Sequence, residues 1–464
     1  MPSRVATALV IAVIALISGC GTGKSGAGSG TVGPYDVEQL ELDHGDFTIE
    51  GVAGLDGGVA VALVSSENGG ADLAVVSHDA GVTWQSVETG LGSHDPPETY
   101  TDYWPTLLHA GDWLIAVKPV RADDESSDQD TMGESSAPPT AQSFSADGGL
   151  TWHPLVLDAA SAVTGVLSAT TTPSGELLVG GYRADSSTGQ YDAAFWRGSP
   201  GEPLTPVALG TTSGLAENQM IIHLASTDDR IIATGRDGRL PGESGLTGRD
   251  RLVTTASTDD GENWIAVDGV PDIADIGELT VRGATVYLEA FYAELSLAPG
   301  ESAWSEVPEI DFSGEPGSGA YREASAVVLP TGDRVATWVD DDACDCSVAY
   351  AGIMKAASAS AQELKFETCA DTSLRGEKSV GPPVLLGSDV LAVGTCVHHD
   401  DTVVAIAWTE DGGRSWATVR LGAVDGLQDV VASHRPAYGT IAFSDSVAII
   451  GTRDDKLVVT RLTA

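Results

Sequence analysis

Positive charge is scarce in this chain of 464 residues, where 24 Lys and Arg face 67 Asp and Glu and leave a formal net charge of −43. A field of that sign repels phosphate backbones and anionic lipid heads, which excludes nucleic acid as a partner. Long apolar runs are also missing. The longest near the N-terminus, Val5 to Ile17, has 13 residues, too few for a membrane-spanning helix of roughly 20. No segment keeps an apolar i, i+3, i+4, i+7 stripe with caps over three turns, so very little helix is expected. The chain has no G-x-S-x-G elbow, no H-E-x-x-H pair and no G-x-x-x-x-G-K-[ST] loop, which removes the common hydrolase, zinc-protease and nucleotide signatures. No calcium loop of the D-x-D-x-D-G kind is present either.

What is present is a repeat. Ser77-x-Asp79-x-Gly81-x-Thr83-Trp84 recurs at Ser145-x-Asp147-x-Gly149-x-Thr151-Trp152, Ser257-x-Asp259-x-Gly261-x-Asn263-Trp264 and Thr409-x-Asp411-x-Gly413-x-Ser415-Trp416. Ser and Asp side chains hydrogen-bond backbone N–H groups a residue or two ahead, and Gly accepts the positive φ that closes a turn. Each copy therefore predicts a hairpin tip, with an apolar strand before it and a Trp-led strand after it. The indole is expected to fill the gap between neighbouring sheets. This pattern resembles the Asp-box (BNR) repeat of the sialidase-like β-propellers. The resemblance implies a ring of four-stranded sheets with the boxes away from the ligand face, so that Asp79, Asp147, Asp259 and Asp411 are structural.

Apolar runs and turn signals parse the chain into four-stranded units ending near Val87, Leu157, Leu209, Val267, Val307, Cys369 and Leu421, followed by an eighth unit without its outer strand. Ala194-Phe195-Trp196 and Glu301-Ser302-Ala303-Trp304 read as eroded boxes. The alternating segment Tyr35–Leu42 is the candidate for the missing strand, and its pairing with the C-terminal strands would leave no exposed sheet edge. The expectation is an all-β chain forming a single β-propeller of seven or eight four-stranded blades, closed by both chain ends. Seven would apply if the short unit from Ile273 to Val307 were an insertion.

Ahead of that domain, Arg4 and the 13-residue apolar core resemble a signal peptide, and Ile17-Ser18-Gly19-Cys20 resembles a bacterial lipoprotein cleavage box. By that resemblance residues 1–19 are removed and Cys20 carries lipid. Residues 20–34, rich in Gly and Ser, then read as a flexible tether, and residues 35–464 form the propeller on the extracytoplasmic face of the cell membrane. Acyl chains bury about 0.8 kcal/mol per CH₂, so more than one chain holds a protein at a membrane without any spanning helix.

The remaining cysteines, Cys344, Cys346, Cys369 and Cys396, are an even set in an exported chain and predict two disulfides, with three connectivities open. Cys344-x-Cys346 is one residue tighter than a usual zinc pair, so no metal or cofactor is expected despite His398-His399-Asp400 nearby. The segment from Arg121 to Pro139 is poor in hydrophobes and is expected to lack fixed structure. Arg236, Arg239, Arg249 and Arg251 gather four of 18 arginines in one connection. Their planar forks suit carboxylates, which makes them candidates for holding a glycan or the acidic segment of a partner protein.

The sialidase resemblance also implies three substrate-clamping arginines, a Tyr nucleophile with a Glu, an Asp acid/base, and an Arg-Ile-Pro motif before the first box. No Arg-Ile-Pro occurs in this chain. Tyr321, Arg322 and Glu323 are the nearest echo and the only catalytic candidates. The expected function is a monomeric binding or scaffolding module at the cell surface, with a glycoside hydrolase as the alternative.

Overall fold

The computed structural model describes residues 25–42, 47–55, 57–66, 73–91, 106–119, 140–158, 163–184, 191–213, 215, 219–237, 252–270, 276–290, 293–307, 326–340, 348–355, 358–364, 379–386, 388–398, 401–431, 439–454 and 456–464. They form eight antiparallel sheets: seven of four strands, each consecutive in sequence, and one of five strands. The chain is an all-β propeller. Its helical content among the described residues is limited to short 3-10 turns such as Thr211–Ser213 and Leu421–Ala423, and no helix among those residues is long and apolar enough to cross a membrane.

Blades 1 to 7 open with strands Phe47–Leu55, Thr106–Ala110, Val163–Thr171, Gln219–Ser226, Ile276–Arg282, Ala326–Val328 and Ser379–Leu386, and blade 8 opens with Gly439–Ala442. These first strands, called a, pack on one another from blade 8 through blades 1, 2, 3, 4 and 5, and again from blade 6 through 7 to 8. Strands b, c and d follow outward from each. The alternating or wholly apolar strands explain this packing. Val61, Leu63, Ala74 and Val76 of blade 1 are buried with Leu107, Leu114 and Ala116 of blade 2 in one cluster. Equivalent clusters fill the gaps between blades 2 and 3, 3 and 4, 4 and 5, 6 and 7, 7 and 8, and 8 and 1, so stability there comes from apolar area removed between sheets.

The count is eight because the short unit is a full blade, with strands Ile276–Arg282, Thr285–Ala290, Ala293–Leu297 and Ser305–Glu306. Ring closure follows the expected pairing: Asp36 lies opposite Thr463 and Leu42 opposite Leu457 along strand Tyr35–Leu42. The tether reading, however, is corrected. Ser25–Val32 is a fifth strand on blade 8, antiparallel to Tyr35–Leu42, with Ser25 opposite Glu41 and Val32 opposite Tyr35. Its glycines allow close approach rather than flexibility. A Cβ at Gly28 would stand 2.6 Å from the Gly426 carbonyl oxygen, and one at Gly30 would stand 2.8 Å from that of Asp425. Val32, Tyr35 and Val37 then bury against Leu391, Leu421 and Leu427 of the blade 7 region.

Candidate functional site

The two ends of the ring are built differently. At one end lie the c–d turns, where all four motif copies adopt one geometry. In the first, the Gly81 amide donates to Ser77 Oγ at 2.9 Å, the Ser77 hydroxyl donates to Asp79 Oδ1 at 2.9 Å, and Thr83 gives its amide to Oδ1 at 2.8 Å and its hydroxyl to Oδ2 at 2.6 Å. Asp147, Asp259 and Asp411 accept the same set from Thr151, Asn263 and Ser415. The glycines at the fifth position have φ of 82°, 92°, 83° and 88°, the left-handed region that excludes most side chains.

These carboxylates are occupied by their own turns. Partial burial of Asp411 opposes ionisation, but the bonds from Ser415, Thr409 and Arg414 outweigh it and hold the carboxyl at about 2. Asp79, Asp147 and Asp259 are lowered by the same balance, with burial pushing upward and bonds from Thr83, Thr151 or Asn263 pulling further down. Such groups are poor general acids or bases near neutrality.

The motif tryptophans enter the gaps between blades. Trp84 packs between blades 8 and 1, Trp152 between 1 and 2, and Trp264 between 3 and 4, where it stacks on Phe195 at 4.2 Å. Trp304 follows its c–d turn as an eroded motif would, whereas Trp196 lies inside strand Tyr191–Gly198, so Ala194-Phe195-Trp196 is not an eroded turn. Arginines clasp adjacent blades at this end. Arg461 Nε of blade 8 donates to the Ala80 carbonyl of blade 1 at 2.9 Å, and Arg197 Nη1 of blade 3 donates to the Asp260 carbonyl of blade 4 at 2.9 Å. Both acceptors are the fourth residue of a motif, with φ of 56° and 60°. Sequence reasoning missed these clasps because nothing local links residues 381 or 63 positions apart.

At the opposite end lie the b–c and d–a connections. Strand a enters from this end, and its register slips in five blades, at Ile49/Gly51, Val166/Ser168, Ile221/His223, Ile276/Leu279 and Val380/Pro383. Bulges bend a strand, raise its twist and re-aim side chains, and they concentrate at rims and binding sites. His223 follows one of them, and burial pushes its imidazole down to about 4, so it is neutral at pH 7. The corner of blades 7 and 8 is fully clasped. Gln39 and the Gln428 backbone exchange two bonds of 2.9 Å, Arg420 pairs with Asp429, and Glu41 pairs with Arg453 and Lys456.

The other candidate residues fall, in sequence, between the described strands. Arg239, Arg249 and Arg251 fall between strands Ile231–Asp237 and Leu252–Ser257 of blade 4, and Tyr321, Arg322 and Glu323 fall between Ser305–Glu306 and Ala326–Val328. Cys344 and Cys346 fall between Arg334–Asp340 and Val348–Lys355, and Cys369 between Ser358–Glu363 and Ser379–Leu386. All of these residues, with Cys20 and the segment from Arg121 to Pro139, lie outside the described residues. The backbones of Arg236 and Cys396 are in strands, opposite Leu252 and Val403 respectively. Among the described residues no three His, Cys, Asp or Glu side chains gather as a metal site.

The class these features define is an eight-bladed β-propeller with one end locked by turns and the other left to connections. No protein-family model matches the chain, and no curated protein matches it. Among solved structures, a PL25 ulvan lyase bound to an oligosaccharide aligns over 90% of this chain and 94% of its own at 11% identity, with a TM-score of 0.42. A prolyl endopeptidase aligns over 88% of this chain and 55% of its own at 10% identity and a TM-score of 0.45, and a Bombyx mori GH32 β-fructofuranosidase over 90% and 89% at 10% and 0.30. These are likenesses of strand arrangement, from which no activity follows.

Proposed function

We propose that this chain is a lipid-anchored, extracytoplasmic propeller of the Asp-box kind that binds a glycan or protein ligand at the end of the ring bearing the b–c and d–a connections. The asymmetry of the ring carries this reading: motif carboxylates and clasping arginines are engaged at the c–d end, while the five inner-strand bulges ring the other end. Arg239, Arg249 and Arg251 supply local positive charge to a chain of −43, and their forks suit a carboxylate-bearing ligand. Two disulfides among Cys344, Cys346, Cys369 and Cys396 belong to the same proposal, as does anchoring through Cys20.

The test is an array of acidic and neutral glycans probed with the Cys20→Ala chain. Binding to acidic glycans that falls at least tenfold in Arg239→Ala/Arg249→Ala, and weakens with salt, supports the reading. Turnover of a fluorogenic sialoside that vanishes in Arg322→Ala would overturn it in favour of a glycosidase. A thiol titration finding four free sulfhydryls in the denatured domain would defeat the disulfides.

A further inference from the structure

The lipid anchor just proposed has a geometric consequence, because the first strand fixes where the chain leaves the ring. Strand Ser25–Val32 runs antiparallel to Tyr35–Leu42, so Ser25 lies opposite Glu41 while Val32 lies at the far end opposite Tyr35. Glu41 is pinned to Arg453 and Lys456, which flank the b–c turn of blade 8. The N-terminal segment therefore departs at the b–c end. Four residues, Gly21 to Lys24, separate Cys20 from Ser25. Five backbone steps reach at most about 17 Å even when fully extended. The strand itself, of eight residues, spans roughly 23 Å from one end of the blade to the other. A tether of that length cannot run back along the strand and bring the c–d turns to the membrane.

Resting on the anchor reading, we infer that the propeller is held with the b–c corner of blade 8 nearest the bilayer and its motif turns facing away. The end at which the inner-strand bulges lie is then turned toward the membrane, and the ligand proposed for that end is one presented at the surface of that same membrane.

The lipidated full chain, reconstituted in vesicles containing a headgroup acceptor dye, tests this. A fluorescent amino acid replaces either Asp454, exposed in the b–c turn of blade 8, or Asp445, exposed in the a–b turn at the opposite end of the same blade. Energy transfer to the bilayer should be clearly stronger from position 454, and inserting about 20 Gly/Ser residues after Gly21 should shrink the difference. Equal transfer, or stronger transfer from position 445, overturns the orientation while leaving the anchor intact. Failure of the wild-type chain to float with vesicles, indistinguishable from Cys20→Ala, sinks the anchor reading itself and the orientation with it.

Discussion

The c–d turns of blades 4 and 5 occupy equivalent places in neighbouring sheets and draw their order from different mixtures of internal and inter-blade bonds. In blade 4 most of the bonds are internal: Asp259 gathers Ser257 and Asn263, and Trp264 Nε1 donates to the Gly261 carbonyl at 3.0 Å, while Arg197 of blade 3 adds one bond to the Asp260 carbonyl. In blade 5 the turn after Leu297 lacks the motif and is held from outside. Arg230, on the a–b turn of blade 4, donates to the carbonyls of Ala298 and Glu301, and Trp304 Nε1 donates to Thr254 Oγ1 of blade 4 at 3.1 Å. The motif thus supplies most of a turn's bonds locally, while the eroded turn leans more heavily on the preceding blade. Both solutions bury an indole in the gap ahead of their own blade, Trp264 between blades 3 and 4 and Trp304 between blades 4 and 5, at 1% and 5% exposed.

Breaking the shared feature should have the largest effect. Trp264→Ala removes a fully buried indole stacked on Phe195 and is expected to cost about 3–5 kcal/mol, read by denaturant unfolding. The difference between the turns comes next. Arg230→Ala strips a buried guanidinium from two carbonyls and should cost about 2–3 kcal/mol, whereas Asp259→Ala in the motif turn, which keeps its Arg197 clasp, should cost about 1 kcal/mol. If Asp259→Ala proves the more damaging, that difference in reliance on the preceding blade is the wrong description. A smaller effect sharpens the comparison within the motif class. Trp416 Nε1 is buried without a hydrogen-bond partner among the described residues, unlike its three counterparts. Trp264→Phe should therefore be worse than Trp416→Phe by about 1 kcal/mol.

This division also explains what could be read from the sequence. Seven blade ends, the motif turns and the closing strand Tyr35–Leu42 were legible because each is written in adjacent residues: a period-2 pattern, a Gly at positive φ, an Asp four residues before its donor. Ser25–Val32 was not, since SGAGSGTV has the composition of a linker and becomes a strand by pairing with Tyr35–Leu42, its glycines fitting close to Gly426 and Asp425. Arg197, Arg230 and Arg461 were equally hidden, as their acceptors lie in other blades.

The last and smallest contrast is in acid. Each motif Asp is held below its ordinary value in the folded chain, so its contribution to stability is complete above the unfolded carboxyl range near 4 and is lost as pH falls through the folded value, about 2 for Asp411. The bonds from the Arg230 guanidinium to two carbonyls of the blade 5 turn involve no carboxylate and have no such dependence. Between pH 4 and 2 the four motif turns should therefore weaken while the Arg230 clasp persists. Asp411→Asn should lower the melting temperature at pH 7 by a few degrees but reduce the further loss on going to pH 2, as followed by circular dichroism. An unchanged acid response in that variant would mean that the motif carboxylates do not set the acid sensitivity of the ring, and the two kinds of turn would then differ in wiring but not in pH dependence.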